Sequence, residues 1–455
     1  MSTSVTSLLS VPSVPSLPCP PSPPPTPPHR RTFPYQRRFE PLHSPCEWIE
    51  RYRPGGYHPV HPDDVFSGGR YKVLRKLGEG SYSTVWLARD MRMERYVALK
   101  IMVSDPEYAT DETAMLRHLS QVAPEQAAHH FTQLLDTFEH LGPNGLHKCF
   151  VFEPMGPNGN TMLLELPQFK DRRPRGMRYP LEMAKSILKQ SLQALALLHE
   201  HGIAHGDFQP GNILFVLDNI DSKSETLFRQ PMTEIDPQSI SPPVKRKDGK
   251  RDLWAPRYLC IGQPLADFTN YTDNIKIKLS DLGGAYFFTD PPTKPVTPAG
   301  LRAPEFVLTG TINNTFDVWS FGCLLFELVT GTPLFCTSGY GSKVDQDDEY
   351  LFWLTIRLGP LPDELYKHWK RSSFYFTPQR ELFNCLLGGV KEGEEPLMLK
   401  SLPSLEEDFD AKTHPDMDKD EASQIKSLIR RILQYDPAKR PSAAELLQDP
   451  WFREP

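Results

Sequence analysis

His205-Gly206-Asp207-Phe208-Gln209-Pro210-Gly211-Asn212 is the stretch on which the reading of this chain turns. An aspartate follows the histidine by two positions, and an asparagine follows that aspartate by five. A carboxylate can accept a proton from a hydroxyl, and an amide carbonyl oxygen can hold a hard cation. Four further stretches flank this loop. Downstream, the alternating run Ile275-Lys276-Ile277-Lys278-Leu279 leads to Asp281-Leu282-Gly283, and Ala303-Pro304-Glu305 follows. Upstream, Gly78-Glu79-Gly80-Ser81-Tyr82-Ser83-Thr84-Val85 forms a glycine turn, and Lys100 closes the apolar run Val97-Ala98-Leu99.

Each stretch has a place in phosphoryl transfer. Glycines let backbone N–H groups approach a triphosphate, and Val85 would cover the adenine face. The turn departs from G-x-G-x-x-G-x-V only at Ser83. A tight hairpin is the bland alternative for this turn. A buried lysine needs an anion, so Lys100 is expected against the phosphates and a helix glutamate, Glu112 before Glu107. Asp207 would accept the proton of a substrate hydroxyl, while Asn212 and Asp281 would hold Mg²⁺. The nucleotide site is expected to comprise Leu77, Gly78, Glu79, Gly80, Ser81, Val85, Ala98, Lys100, Glu112, Glu153 and Met155. His205 reads as structural. Glu305 is expected to pair with Arg440, and Asp317 to cap the catalytic-loop backbone. The ordered set reads as an ATP- and Mg²⁺-dependent protein kinase.

Two positions depart from that pattern. Gln209 stands where a lysine would neutralise the γ-phosphate; an amide can donate a hydrogen bond but supplies no charge. Gly206 stands where regulated kinases carry an arginine that reads activation-segment phosphate, so control of that kind is not expected.

Bulk properties agree. The 455 residues suit a two-lobed domain with a tail and an insert, and the formal charge of −6 implies no general attraction to nucleic acid or membranes. The seven cysteines lack metal-ligand spacing. No apolar run approaches the roughly 20 residues of a membrane span. Thirteen of the 47 prolines fall in the first 45 residues, with Arg30, Arg31, Arg37 and Arg38 and no acidic residue before Glu40. That composition predicts a disordered tail over 1–45; its prolines argue against the amphipathic helix of a transit peptide. The domain is expected over 46–455, with a β-rich small lobe at about 71–152 and a mainly helical large lobe at about 157–453. This is an α+β fold. Leu181, Ala184, Leu188, Leu192, Leu195 and Leu198 predict a helix over 181–200, and Asp317–Thr330 reads as a buried one. Residues 216–274 read as an irregular insert with a basic cluster from Lys245 to Arg251.

The chain resembles the SR protein kinases, in a divergent, fungal-looking form, over about residues 48–453. Gly55-Gly56-Tyr57-His58-Pro59-Val60, Gly69-Arg70-Tyr71, Arg75-Lys76-Leu77-Gly78 and Ser83-Thr84-Val85-Trp86-Leu87-Ala88 carry the likeness. Phe150-Val151-Phe152-Glu153 looks like the family's hinge, with Phe152 as gatekeeper and Glu153 and Met155 facing adenine. The resemblance implies a spacer in the insert that governs partitioning between cytoplasm and nucleus. It also implies serine phosphorylation in Arg/Ser-rich, splicing-factor-like proteins, docked at an acidic groove beginning with Asp345, Asp347, Asp348 and Glu349. The family normally keeps the lysine that Gln209 replaces.

The expectation is therefore a serine/threonine protein kinase of the non-specific type, monomeric, cytoplasmic and nuclear, acting on basic protein substrates without direct nucleic-acid or membrane contact. Two alternatives remain open at this point: a pseudokinase or scaffold, which rests on Gln209, and a small-molecule kinase, whose catalytic loop is similar but which needs no peptide-positioning segment.

Overall fold

The chain is described here by a computed structural model, which covers residues 37–108, 112–170, 176–231, 239–270, 275–339 and 341–453. The first 36 residues of the expected tail lie outside it.

The small lobe is built on one antiparallel sheet. Its strands are β1 (Val65–Phe66), β2 (Tyr71–Glu79), β3 (Ser83–Asp90), β4 (Arg95–Met102), β5 (Leu134–Gly142) and β6 (Gly145–Phe152), in spatial order β1-β2-β3-β4-β6-β5. Alternation along β2 and β3 turns Val73, Trp86 and Ala88 into the core beside Val97, Leu99, Cys149 and Val151 of β4 and β6. Helix α1 (Glu112–Val122) begins with the glutamate that the sequence assigns to Lys100 and buries Met115, Leu116 and Leu119.

The large lobe packs around two helices. Helix α2 (Leu181–Glu200) buries the six predicted apolar positions along one face. Helix α3 (Phe316–Thr330) is buried at every position but Glu327 and ends on Gly331, whose φ of 79° suits the left-handed cap. Helix α4 (Lys343–Leu358) carries the acidic cluster, and helix α5 (Lys419–Ile432) packs its apolar face into the same core. Four short strands frame the loops between the lobes: β7 (Ile203–Ala204) pairs with β10 (Tyr286–Phe287), and β8 (Ile213–Phe215) with β9 (Ile277–Leu279).

Two expectations change shape. The tail was expected to run to residue 45, but Arg38 and Phe39 are buried. Arg38 pairs with Glu50 at 3.1 Å, and Phe39 joins a cluster with Ile49, Tyr52, Tyr57 and Leu259. The tail's low apolar content is real, but one aromatic and one paired arginine anchor its end. The insert is irregular in backbone, yet its described residues wrap the small lobe. Ile220, Phe228 and Leu265 fill a cluster with Leu74, Leu87 and Tyr96. Gln230 and Gln263 hydrogen-bond to the backbone of β2. Within the basic cluster, Arg246 pairs with Asp248 and Asp252, and the backbone of Lys245 and Lys247 bonds to that of Glu40 and Arg38.

Phe228 is fully buried, with ring contacts to Tyr96 at 4.6 Å and Phe268 at 4.9 Å. Phe228→Ala should therefore destabilise the domain by roughly 3–5 kcal/mol. Urea unfolding checks this; an unchanged midpoint would mean that the insert is a free loop.

Candidate active site

The lobes meet over a cleft of about 240 Å³. Leu77, Val85, Ala98, Phe152, Met155 and Leu214 give it apolar walls suited to a flat heteroaromatic ring. Leu214 is a residue the sequence reading missed, although it stands two positions after Asn212 on β8. Gly78 has nothing within 4 Å of where a Cβ would stand, so backbone can approach a ligand there. Glu79, Gly80, Lys100, Glu112, Glu153, Asn212 and Asp281 also line the cleft. Ser81 does not: it is exposed at the tip of the turn, and Ser83 takes its place in the wall. Glu153 turns its carboxylate to Lys278 at 2.6 Å and to the Gln133 N–H at 2.9 Å.

Lys100 reaches two carboxylates, Glu112 at 2.8 Å and Asp281 at 2.9 Å. Glu107 lies instead in the short turn before α1. Burial alone would depress the lysine, but Asp281 and Glu112 hold its ammonium above the ordinary range. Burial raises the Glu112 carboxyl, and Lys100 only partly opposes it. At Asp281 burial also pushes upward, but Lys100 prevails and the carboxyl stays below the ordinary range. Asp281 adopts a left-handed backbone, with φ 60° and ψ 66°, which is uncommon for a residue other than glycine.

The catalytic loop is hung from helix α3. Asp317 accepts the His205 N–H at 2.7 Å, the Gly206 N–H at 2.9 Å and the His199 ring at 2.9 Å. Burial works to raise this carboxyl, but His199, His205 and the Gly206 N–H outweigh it. His205 is fully buried, and its Nδ1 accepts the Asp207 N–H at 3.3 Å. The Asp207 carboxylate faces two amides: Gln209 donates to Oδ1 at 2.8 Å and Asn212 to Oδ2 at 3.0 Å. Burial leaves Asp207 above the ordinary carboxylate range despite these bonds. Gln209, at the position where a lysine would neutralise the γ-phosphate, turns its amide onto Asp207.

The activation segment packs directly on this loop. Gly206 has φ 72°, and a Cβ there would stand 2.2 Å from the Gly284 carbonyl oxygen. Thr297 is fully buried and donates its hydroxyl to the Gly206 carbonyl. Thr289 and Thr293 are exposed. Glu305 and Arg440 form a two-pronged pair, both bonds 2.7 Å.

The acidic cluster differs from the expected open groove. Arg371 pairs with Asp345 and Asp348, each at 2.9 Å, and Trp369 donates to Asp348 at 2.8 Å. Glu349 accepts from Ser338. Asp347 pairs with the exposed Lys343 and also acts electrostatically on Arg302. The arginine lies 23 to 26 positions downstream in sequence, which hid the pairing.

A protein kinase domain model matches residues 71–223 and 268–452, passing over most of the insert. A "Serine/threonine-protein kinase SRPK" of Physarum polycephalum is 32% identical over 90% of this chain and 92% of its own length. "Protein kinase dsk1" of Schizosaccharomyces pombe is 29% identical over 90% of this chain and 85% of its own. The human "SRSF protein kinase 3" is 26% identical over 88% of this chain and 89% of its own. A crystal structure of a kinase domain aligns with a TM-score of 0.56 over 87% of this chain and 99% of its own, at 21% identity; this likeness concerns the fold.

Gly206→Ala should force Gly284 away and break the Thr297 contact. The expected loss in kcat is on the order of 10²-fold, with nucleotide affinity retained. Steady-state phosphotransfer with parallel nucleotide titration checks it, and a kcat within twofold of the parent would contradict the assignment of that contact.

Proposed function

This chain belongs to the protein kinase family and, within it, to the SRPK-type serine/threonine kinases, and from that premise we propose the roles of its residues and the class of its substrate. The carrying observation is the convergence of Lys100, Asp281, Asn212 and Asp207, drawn from three separated stretches, at one cleft edge.

Asp207 is read as the group that orients the substrate hydroxyl and takes its proton. Its raised carboxyl keeps it a stronger base than an exposed aspartate. Lys100, fixed by Glu112, is positioned for the α- and β-phosphates. Asn212 commits its NH₂ group to Asp207. Its side-chain carbonyl oxygen accepts no hydrogen bond among the described residues, and with Asp281 it offers the oxygen donors that Mg²⁺ prefers. Bound Mg²⁺ would neutralise charge on the phosphate oxygens. Two carboxylates against one ammonium in the Lys100 cluster suit the arrival of such a cation.

The substrate is read as a basic, Arg/Ser-rich protein segment. The net charge of −6 supports it, as does the similarity to a relative named for kinase activity on SRSF proteins. With Asp345 and Asp348 already paired, attraction would be long-range, supplemented by Asp347 and the exposed Glu392, Glu394 and Glu395. The exposed Lys245, Lys247, Lys250 and Arg251 fit the reading that the chain partitions between cytoplasm and nucleus.

The test is transfer of labelled γ-phosphate from Mg²⁺-ATP to an Arg-Ser repeat peptide, beside an acidic peptide and Asp207→Ala. Labelling of the basic peptide alone, reduced about 10²- to 10⁴-fold in the variant, is expected. Nucleotide binding without labelling of any protein would overturn the reading in favour of a pseudokinase.

A further inference from the structure

We infer that Gln209 is a positioning residue for Asp207 and not a ligand of the nucleotide phosphates; this rests on the reading of Asp207 as the group that meets the substrate hydroxyl. The geometry brackets the carboxylate. Gln209 Nε2 donates to Oδ1 at 2.8 Å, and Asn212 Nδ2 donates to Oδ2 at 3.0 Å and to the Asp207 carbonyl at 2.7 Å. Each oxygen thus accepts from one neutral amide. A carboxylate held at both oxygens cannot rotate about its last torsion without breaking a bond, so its remaining lone pairs keep fixed directions.

The local chain explains why both amides point the same way. Gln209 is extended, with φ −156° and ψ 163°, a conformation favoured by the proline that follows. Pro210 opens a short turn closed by the Asn212 N–H on the Gln209 carbonyl at 3.0 Å. The turn brings side chains three positions apart back toward the residue that precedes both. No lysine or arginine shares Asp207 in the described residues: Lys100 is engaged by Glu112 and Asp281, and the groups bonded to the Asp207 side chain are these two amides. One N–H of the Gln209 amide is committed to Asp207, and an amide that left Asp207 for a phosphate would take half of the carboxylate's support with it.

A residue that orients the base without touching nucleotide should move kcat and leave nucleotide binding alone, because it contributes only where the hydroxyl must be aligned. The experiment uses the full chain and Gln209→Met, which keeps the length of the side chain but cannot donate. Titration calorimetry gives Kd for Mg²⁺-ATP and Mg²⁺-ADP; steady-state assays with the Arg-Ser peptide give kcat and KM. The expected result is a kcat lowered about ten- to a hundredfold, with both Kd values and the KM for ATP within twofold of the parent. Weakened Mg²⁺-ATP binding with unchanged Mg²⁺-ADP binding would overturn the inference, since the amide would then hold the γ-phosphate. An unchanged kcat would overturn it as well. Should the parent transfer phosphate to no protein, the functional reading fails while this one stays testable. The Tm losses of Asp207→Ala and Gln209→Met should then fall short of additive in the double variant, and strict additivity would overturn the contact.

Discussion

The buried carboxylate of Asp317 is the constraint on which the site depends. It sits in the first turn of α3, where the helix dipole favours a negative group, and accepts two backbone N–H groups of the catalytic loop. A buried carboxylate without donors would be costly, and a buried loop backbone without acceptors equally so. Each therefore satisfies the other. The same helix anchors the activation segment: Ser320 donates to the Leu301 carbonyl at 2.8 Å, and Arg440, paired to Glu305, lies over Trp319 at 4.9 Å. Because α3 is surrounded by core, the catalytic loop and the activation segment share one rigid reference.

Against that reference the small lobe is registered by charge. Lys100 comes from β4, Glu112 from α1, and Asp281 from the segment that follows β9. The ammonium spans the lobes by pairing with a carboxylate on each side. Desolvation makes each member costly alone, so the three are stable together and the interlobe distance is set by side-chain reach. Such a pairing also leaves negative charge in excess, the condition in which an entering divalent cation is favoured.

How much was legible in the sequence follows from where each interaction's partners lie. The catalytic loop, the Asp281 turn, the Glu305–Arg440 pair and the Lys100–Glu112 pair could be read because each residue type has few stable alternatives when buried. A lysine inside a sheet must find a carboxylate, and Glu112 opens the helix that follows. The six-residue apolar stripe on 181–200 located α2 for the same reason. The acidic run on α4 could be read only from its own residues; Arg371, on a different segment, pairs with two of its four carboxylates. The insert's backbone has no periodic signal, so nothing local announced that Phe228 and Leu265 complete the small lobe's core. Leu214 and Thr297 belong to the same class, since their roles depend on what packs opposite them.

The loop around Asp207 carries neither of the two cations of the general protein-kinase pattern, Gly206 and Gln209 standing in their places. The structure replaces each by a short-range contact. At Gly206 the lost side chain lets the Gly284 carbonyl press onto the loop, while Thr297 closes the other side. At Gln209 an amide takes the carboxylate directly. Both substitutions exchange long-range, salt-screened attraction for directional hydrogen bonds and steric fit. Neither position 206 nor position 209 offers a cation with which an added phosphate could pair. The loop's sensitivity is steric instead: one methyl group at position 206 meets a backbone oxygen that cannot yield without moving the activation segment. The geometry of this loop is thus held by packing and directional hydrogen bonds at the two positions where charge would otherwise act.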